Sequence, residues 1–136
     1  MKERRDIISL FFRVPVLLLL LAMSNASFAR ATDISQAELM QRINAHHAQL
    51  ILDVRSPEEY KEGHIPGAIN IPHDQMGARL AEISSHKNKD IVLYCRSGRR
   101  VGIAADILRS AGFNKLLHLD GDMGGWQSNR SLPVVK

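Results

Sequence analysis

Strand-length apolar runs and helix-length segments take turns along this chain, and that alternation limits the fold more than any other feature. Leu50–Val54 ("LILDV"), a short run around Ala68–Ile71, Asp90–Cys95 ("DIVLYC") and Lys115–Leu119 ("KLLHL") are too short for buried helices and rich in branched residues. They read as buried strands. Between them stand helix signals. "SQAE" (Ser35–Glu38) is a capping-box pattern that opens a helix to about Ala45, with Leu39, Met40 and Ile43 as its apolar stripe. "SPEE" (Ser56–Glu59) supplies an N-cap serine, a proline at the first helical position and a glutamate at the third, and Gly63 stops that short helix. The spacing of Met76, Leu80 and Ile83 predicts a helix over Gln75–Ser84. A further helix is expected over Arg100–Ser110, with Ile103, Ala104, Ile107 and Leu108 facing the core, ended by Gly112. "DGDMGGW" then turns into a short C-terminal helix. Strands alternating with helices imply an α/β fold with a central, mainly parallel sheet and helices on both faces.

The first 29 residues are expected to lie outside that domain. Lys2, Arg4, Arg5 and Arg13 precede an unbroken apolar run, Val14–Met23, and Ser27 and Ala29 form a small-x-small site. This pattern reads as a secretory signal peptide cleaved after Ala29, with Ala26 and Ala31 as alternative sites. Ten apolar residues are short for a membrane span, which needs about 20. The expectation is therefore a single domain over residues 30–136, exported to the periplasm and without stable membrane association after cleavage. Leaving out the leader's four Lys/Arg and two Asp/Glu lowers the formal charge from +4 to +2. No basic stripe is interleaved with aromatics, so nucleic acid is not an expected partner. We expect a monomer.

The chain has one cysteine, so no internal disulfide is available. An inert buried thiol, an intermolecular bridge and a reactive nucleophile all remain open on composition alone. The setting of Cys95 favours the third. "YCRSGRR" (Tyr94–Arg100) joins a strand to a helix, and reactive groups of such folds gather at the carboxyl ends of strands. A loop of this kind turns backbone N–H groups inward, and the helix start adds free N–H groups and a positive dipole end. The reactive thiolate would be stabilised there. Gly98 permits the tight backbone, and Arg96, Arg99 and Arg100 offer cationic donors suited to an oxyanion. Cysteine phosphatases place an arginine after Cys and five intervening residues. Here that position is Val101, so the loop is one residue short and suits a persulfide sulfur better than a phosphate.

Three stretches together resemble the rhodanese (thiosulfate sulfurtransferase) homology domain in its small single-domain form. They are "LDVRSPEEYKEGHIPGAINIP", "YCRSGRRVGIAADILRSAGF" and "LDGDMGGW", and the resemblance runs over most of Asp33–Gln127. Asp122 stands where a second glycine is common, a departure expected to alter the local turn and not the chemistry. The resemblance implies a ping-pong reaction. Cys95 takes sulfur from a small anionic donor such as thiosulfate and passes it to cyanide, a thiol or an unidentified protein. The backbone from Arg96 through Ser97 and Gly98 to Arg99 and Arg100 would hold the persulfide. Arg99 and Arg100, with Arg96 next, would recognise the donor's sulfonate. No metal or organic cofactor is implied. The alternatives are a carrier module that holds sulfur without turnover, and a cysteine phosphatase or arsenate reductase.

Asp53 and Arg55 are supporting residues on this reading. The family's Asp-x-Arg pair orders loops around the site, although the long Arg55 side chain could reach the cleft. The resemblance places His64 in a turn where it packs or caps, and a loop-stabilised thiolate needs no base. His46 and His47 are adjacent and point apart, which argues against a shared metal. Trp126 and Phe113 are expected in the core or cleft wall, and Met123 near the cleft mouth.

Overall fold

The computed structural model describes residues 31–136. The expected signal peptide, its cleavage site and Arg30 lie outside the described residues. Five strands form one sheet: β1 (Thr32–Ile34), β2 (Leu50–Asp53), β3 (Ile69–Asn70), β4 (Ile91–Tyr94) and β5 (Leu116–Leu119). Their order is β1-β5-β4-β2-β3, and every neighbouring pair is parallel. Helices α1 (Gln36–Asn44), α2 (Pro57–Glu62), α3 (Arg99–Ser110) and α4 (Asp122–Ser128) connect or follow the strands.

Two-residue alternation sends successive strand side chains to opposite faces. Leu50, Leu52, Ile91, Leu93 and Cys95 fall on one face, where Val101, Ala104, Ala105 and Leu108 of α3 cover them together with Ile83. Ile51, Val92 and Tyr94 fall on the other, against Leu39 of α1 and Met123 and Trp126 of α4. Both faces of the central strands are thus buried, which is why β2 and β4 read as continuous apolar runs. Asp53 and Tyr94 are register partners, so the loops after β2 and β4 leave the sheet side by side.

Local signals set several boundaries. Ser56 and Glu59 form a complete capping box, each side chain bonding the other's backbone N–H at 3.2 and 3.0 Å. At α1 only half of the expected box forms. Ser35 Oγ accepts the Glu38 amide at 3.1 Å, but the Glu38 carboxylate turns to Arg42 at 2.7 Å instead. Gly63 closes α2, and a Cβ there would stand 2.8 Å from Val134 Cγ1. That crowding arises because the C-terminal segment folds back, where His64 and Val135 exchange both backbone hydrogen bonds at 2.9 and 3.0 Å.

Three expectations are corrected. The stretch Gln75–Ser84 is not an α-helix. It is a series of i→i−3 turns running into a 3-10 helix, Leu80–His86. Gly77, the branched Ile83 and the Ser84–Ser85 pair are weak helix formers, and the tighter winding still buries Met76 and Ile83. Ile103 does not face the core; it is 42% exposed. The buried stripe of α3 is Val101, Ala104, Ala105 and Leu108, an i, i+3, i+4, i+7 pattern, and residue 103 falls on the opposite side of a 3.6-residue helix. Met123 is buried beneath α4 rather than at a cleft mouth, because it shares the inward face with Trp126 three residues on.

Candidate active site

Cys95 follows the last residue of β4 and continues its inward alternation, so its side chain enters the α3 side of the sheet. The chain then turns sharply and starts α3 at Arg99. Gly98 caps that helix at φ 107°, ψ −21°, a region open to glycine. Its amide donates to Cys95 Sγ at 2.9 Å. No side chain caps the helix. The first-turn amides of Arg99, Arg100 and Val101 therefore have no intrahelical acceptor and share the positive end of the helix dipole. An anion in this loop gains roughly 0.5–2 kcal/mol from that dipole.

The root of the loop is clamped by the start of α4. Cys95 N–H donates to Asp122 Oδ1 at 2.9 Å. Met123 N–H donates to the Cys95 carbonyl at 2.9 Å, and Gly124 N–H to the Arg96 carbonyl at 3.2 Å. A side chain at residue 124 would put Cβ 3.2 Å from that same carbonyl oxygen, so glycine allows the close approach. Asp122 itself is buried, with φ 52°. Asp tolerates this left-handed conformation better than most residues, and its carboxylate gains the Cys95 amide by adopting it. Asp122 thus holds a left-handed turn that also suits glycine, and it places a carboxylate against the cysteine backbone.

The three loop arginines have different surroundings. Arg100 is held by Glu59 of α2 through two bonds, Nη1 to Oε2 at 2.6 Å and Nη2 to Oε1 at 3.0 Å. That hydrogen-bonded pairing, opposed by partial burial, lowers Glu59 to about 2. It also raises Arg100 above its ordinary value, and the Cys95 sulfur adds to the raise. Arg96 and Arg99 are exposed and make no ion pair among the described residues. They, with exposed Ser97, form the accessible rim, while Arg100 is spent largely on Glu59. Arg99 and Gly98 also line a cleft of about 740 Å³ that runs between α3 and β5 past His118, Asp106 and Arg109.

Asp53 and Arg55 form a buried ion pair behind the loop. Arg55 Nη2 meets Asp53 Oδ2 at 2.6 Å, Nε meets both carboxylate oxygens, and Nη2 also donates to the Gly63 carbonyl at 2.7 Å. The guanidinium lies 5.6 Å from the centre of the Tyr94 ring. Burial opposes the charge on Arg55, yet the bonds to Asp53 keep it above its ordinary value. The Tyr94 hydroxyl, pushed up mainly by burial, accepts the Ile65 amide at 3.1 Å. This network ties the segment after α2 to the ends of β2 and β4. Arg55 is 5% exposed, and its Nε and Nη2 are held by Asp53 and the Gly63 carbonyl. His64 stacks on Tyr60 with ring centres 3.7 Å apart, and Trp126 and Phe113 are core residues.

Two contacts at the site escaped the sequence reading. The sequence marks Glu59 only as a helix cap and His118 only as a strand residue. His118 Nε2 lies 3.0 Å from both oxygens of Asp122. A Cβ on Gly98 would meet that pair at 3.2–3.3 Å, so the pair packs directly behind the loop.

Comparison with known proteins agrees with this geometry. The model of the Rhodanese-like domain matches residues 35–129. A "Sulfurtransferase" of Allochromatium vinosum is 35% identical over 103 residues, 76% of this chain and 94% of the relative. The "Thiosulfate sulfurtransferase PspE" of Escherichia coli is 39% identical over 85 residues, 62% of this chain and 77% of that one. In several other curated relatives the match spans about half of the relative's length. The solved structure of a human single-domain sulfurtransferase superposes with a TM-score of 0.62 at 26% identity, covering 74% of this chain and 99% of the other. With a parallel α/β sheet, a cysteine loop at a helix start and sulfurtransferase relatives, the chain belongs to the rhodanese-like family of sulfur-transferring domains.

Proposed function

We propose that this chain is a thiosulfate sulfurtransferase that works through a persulfide on Cys95. The observation that carries the reading is the Gly98 amide aimed at Cys95 Sγ from 2.9 Å, at the uncapped start of α3. Cys95 thiolate attacks the outer sulfur of thiosulfate. A new S–S bond forms, the original S–S bond breaks, and sulfite leaves with its electron pair. Cyanide or a thiolate then attacks the outer sulfur of the persulfide, and the Cys95 sulfur recovers its electron pair as thiolate. Exposed Arg99 and Arg96 meet the sulfonate, and the first-turn amides of α3 stabilise the charge developing in the loop. Arg100, already tied to Glu59, fixes the far wall of the loop. The chain has a single cysteine, so the acceptor comes from outside.

We further propose that the domain acts in the periplasm after removal of the basic, apolar leader. The support is the leader's charge and apolar pattern.

Steady-state formation of thiocyanate from thiosulfate and cyanide tests the activity. The full chain and the processed form are expected to turn over, and Cys95→Ser to be inactive. A Cys95→Ser variant with wild-type turnover would remove the nucleophile assignment. Efficient Cys95-dependent hydrolysis of an aryl phosphate would favour the phosphatase reading instead.

A further inference from the structure

Behind the loop lies a histidine–aspartate pair that the reaction above does not use. Asp122 is 3% exposed, and a buried carboxylate is costly unless it is paired and hydrogen-bonded. Its partners are the Cys95 amide at 2.9 Å and His118 Nε2 at 3.0 Å. It therefore connects a titrating ring to the backbone of the nucleophile through a single side chain. Both members also flank Gly98, where an added Cβ would meet them at 3.2 and 3.3 Å, and the Gly98 amide reaches Cys95 Sγ.

The geometry points to His118 and Asp122 as a positioning pair whose charge sets how well the loop carries negative sulfur. This rests on Cys95 being the sulfur carrier. With the ring protonated the pair is neutral, and the loop experiences little field from it. With the ring neutral, an uncompensated carboxylate stands against the Cys95 amide and opposes negative charge on the sulfur and on the incoming donor. The ring can lose its Nδ1 proton while Nε2–H still donates to Asp122, so the contact persists and only the charge changes.

The surroundings favour the protonated ring. The hydrogen bond to Asp122 raises His118 above the ordinary imidazole value and partial burial opposes this. Asp33 of β1, 4.0 Å from Nδ1, and Asp120 add to the raise. Arg99, Asp106 and Arg109 of α3 face His118 across the cleft. The pair thus stays neutral to higher pH than an ordinary imidazole would allow, and sulfur uptake slows once the ring releases its proton.

The test is the single-turnover rate of persulfide formation from thiosulfate, followed by intact mass from about pH 6 to about pH 9. Wild type is compared with His118→Gln, which retains a donor toward Asp122 and cannot be charged. Taking the ratio of the two rates cancels pH effects common to both proteins. The wild type is expected to be about fivefold faster near pH 6, with the ratio approaching one near pH 9. A ratio that does not change with pH would overturn the proposal, since a purely structural role slows the variant equally everywhere. Asp122→Asn decides independently, because it still accepts the Cys95 amide and carries no charge. It is expected to be at least as fast as wild type near pH 9, and slowing at every pH would again overturn the pair's role. If wild type formed no persulfide at any pH, the proposed function would fall and this inference with it. A persulfide that formed with superimposed profiles would remove this inference alone.

Discussion

Replacing Gly98 with alanine probes the loop where backbone and chemistry meet. Gly98 holds φ 107°, and an L-residue in left-handed backbone loses about 1–2 kcal/mol. The added Cβ would stand 3.2 Å from Asp122 Oδ2 and 3.3 Å from His118 Cε1. Both atoms belong to a packed, hydrogen-bonded pair, so relief requires a shift of a few tenths of an ångström in the loop or the pair. Together these effects predict a loss of about 2–3 kcal/mol. For a domain of this size that is a fall in Tm of about 10 °C or more. Alanine keeps its N–H, but the displaced backbone carries that donor away from Cys95 Sγ. Persulfide formation is expected to slow about tenfold, a fraction of what full removal of a catalytic donor costs. Urea and thermal melts give the stability, and mass spectrometry after thiosulfate gives the rate. A Gly98→Ala protein that melted within about 2 °C of wild type and took up sulfur at the wild-type rate would show slack in the loop and refute this reasoning.

Other substitutions separate the supporting contacts. Glu59 is lowered to about 2 by Arg100, so its contribution is present above the unfolded carboxylate value of 4.5 and lost as pH falls toward 2. Glu59→Gln preserves the helix cap and should cost about 1–2 kcal/mol at neutral pH, discounted for partial exposure. The gap in urea midpoint from wild type should narrow as pH drops below about 4.5. Asp53→Asn leaves Arg55 buried without its countercharge and should destabilise by about 3–5 kcal/mol, read by urea denaturation. Arg99 is exposed and unpaired among the described residues. Arg99→Ala should therefore raise KM for thiosulfate several-fold with Tm unchanged, and an unchanged KM would move sulfonate recognition to Arg96.

The parts of the fold legible in the sequence are those whose signals are local. Leu50–Leu52 and Ile91–Tyr94 are buried on both faces, and an unbroken apolar run betrays that without knowledge of the partners. Ser56, Pro57, Glu59 and Gly63 bracket α2 through contacts at most a few residues apart. The strand Thr32–Ile34 carries no such signal: only Ile34 is buried, and pairing with β5 makes it a strand. Ile103 misled because its apolarity outweighed the angular position that exposes it. At the site, Cys95, Gly98 and the helix start were legible because strand, glycine and helix adjoin in the chain. The Glu59–Arg100 bond spans 41 residues, and its glutamate already had a sufficient local role as a cap. His118 sits within an apolar run, and its link to Asp122 depends on a turn made through the positive φ of Asp122. Only the aspartate in place of a glycine hinted at that turn.

Intact mass of the protein before and after thiosulfate is the most direct measurement of sulfur chemistry at residue 95. Wild type should gain one sulfur atom, about 32 Da, and lose it to cyanide with release of thiocyanate, while Cys95→Ser should gain nothing. An unmodified wild type, or the same gain in the serine variant, would contradict a persulfide on Cys95.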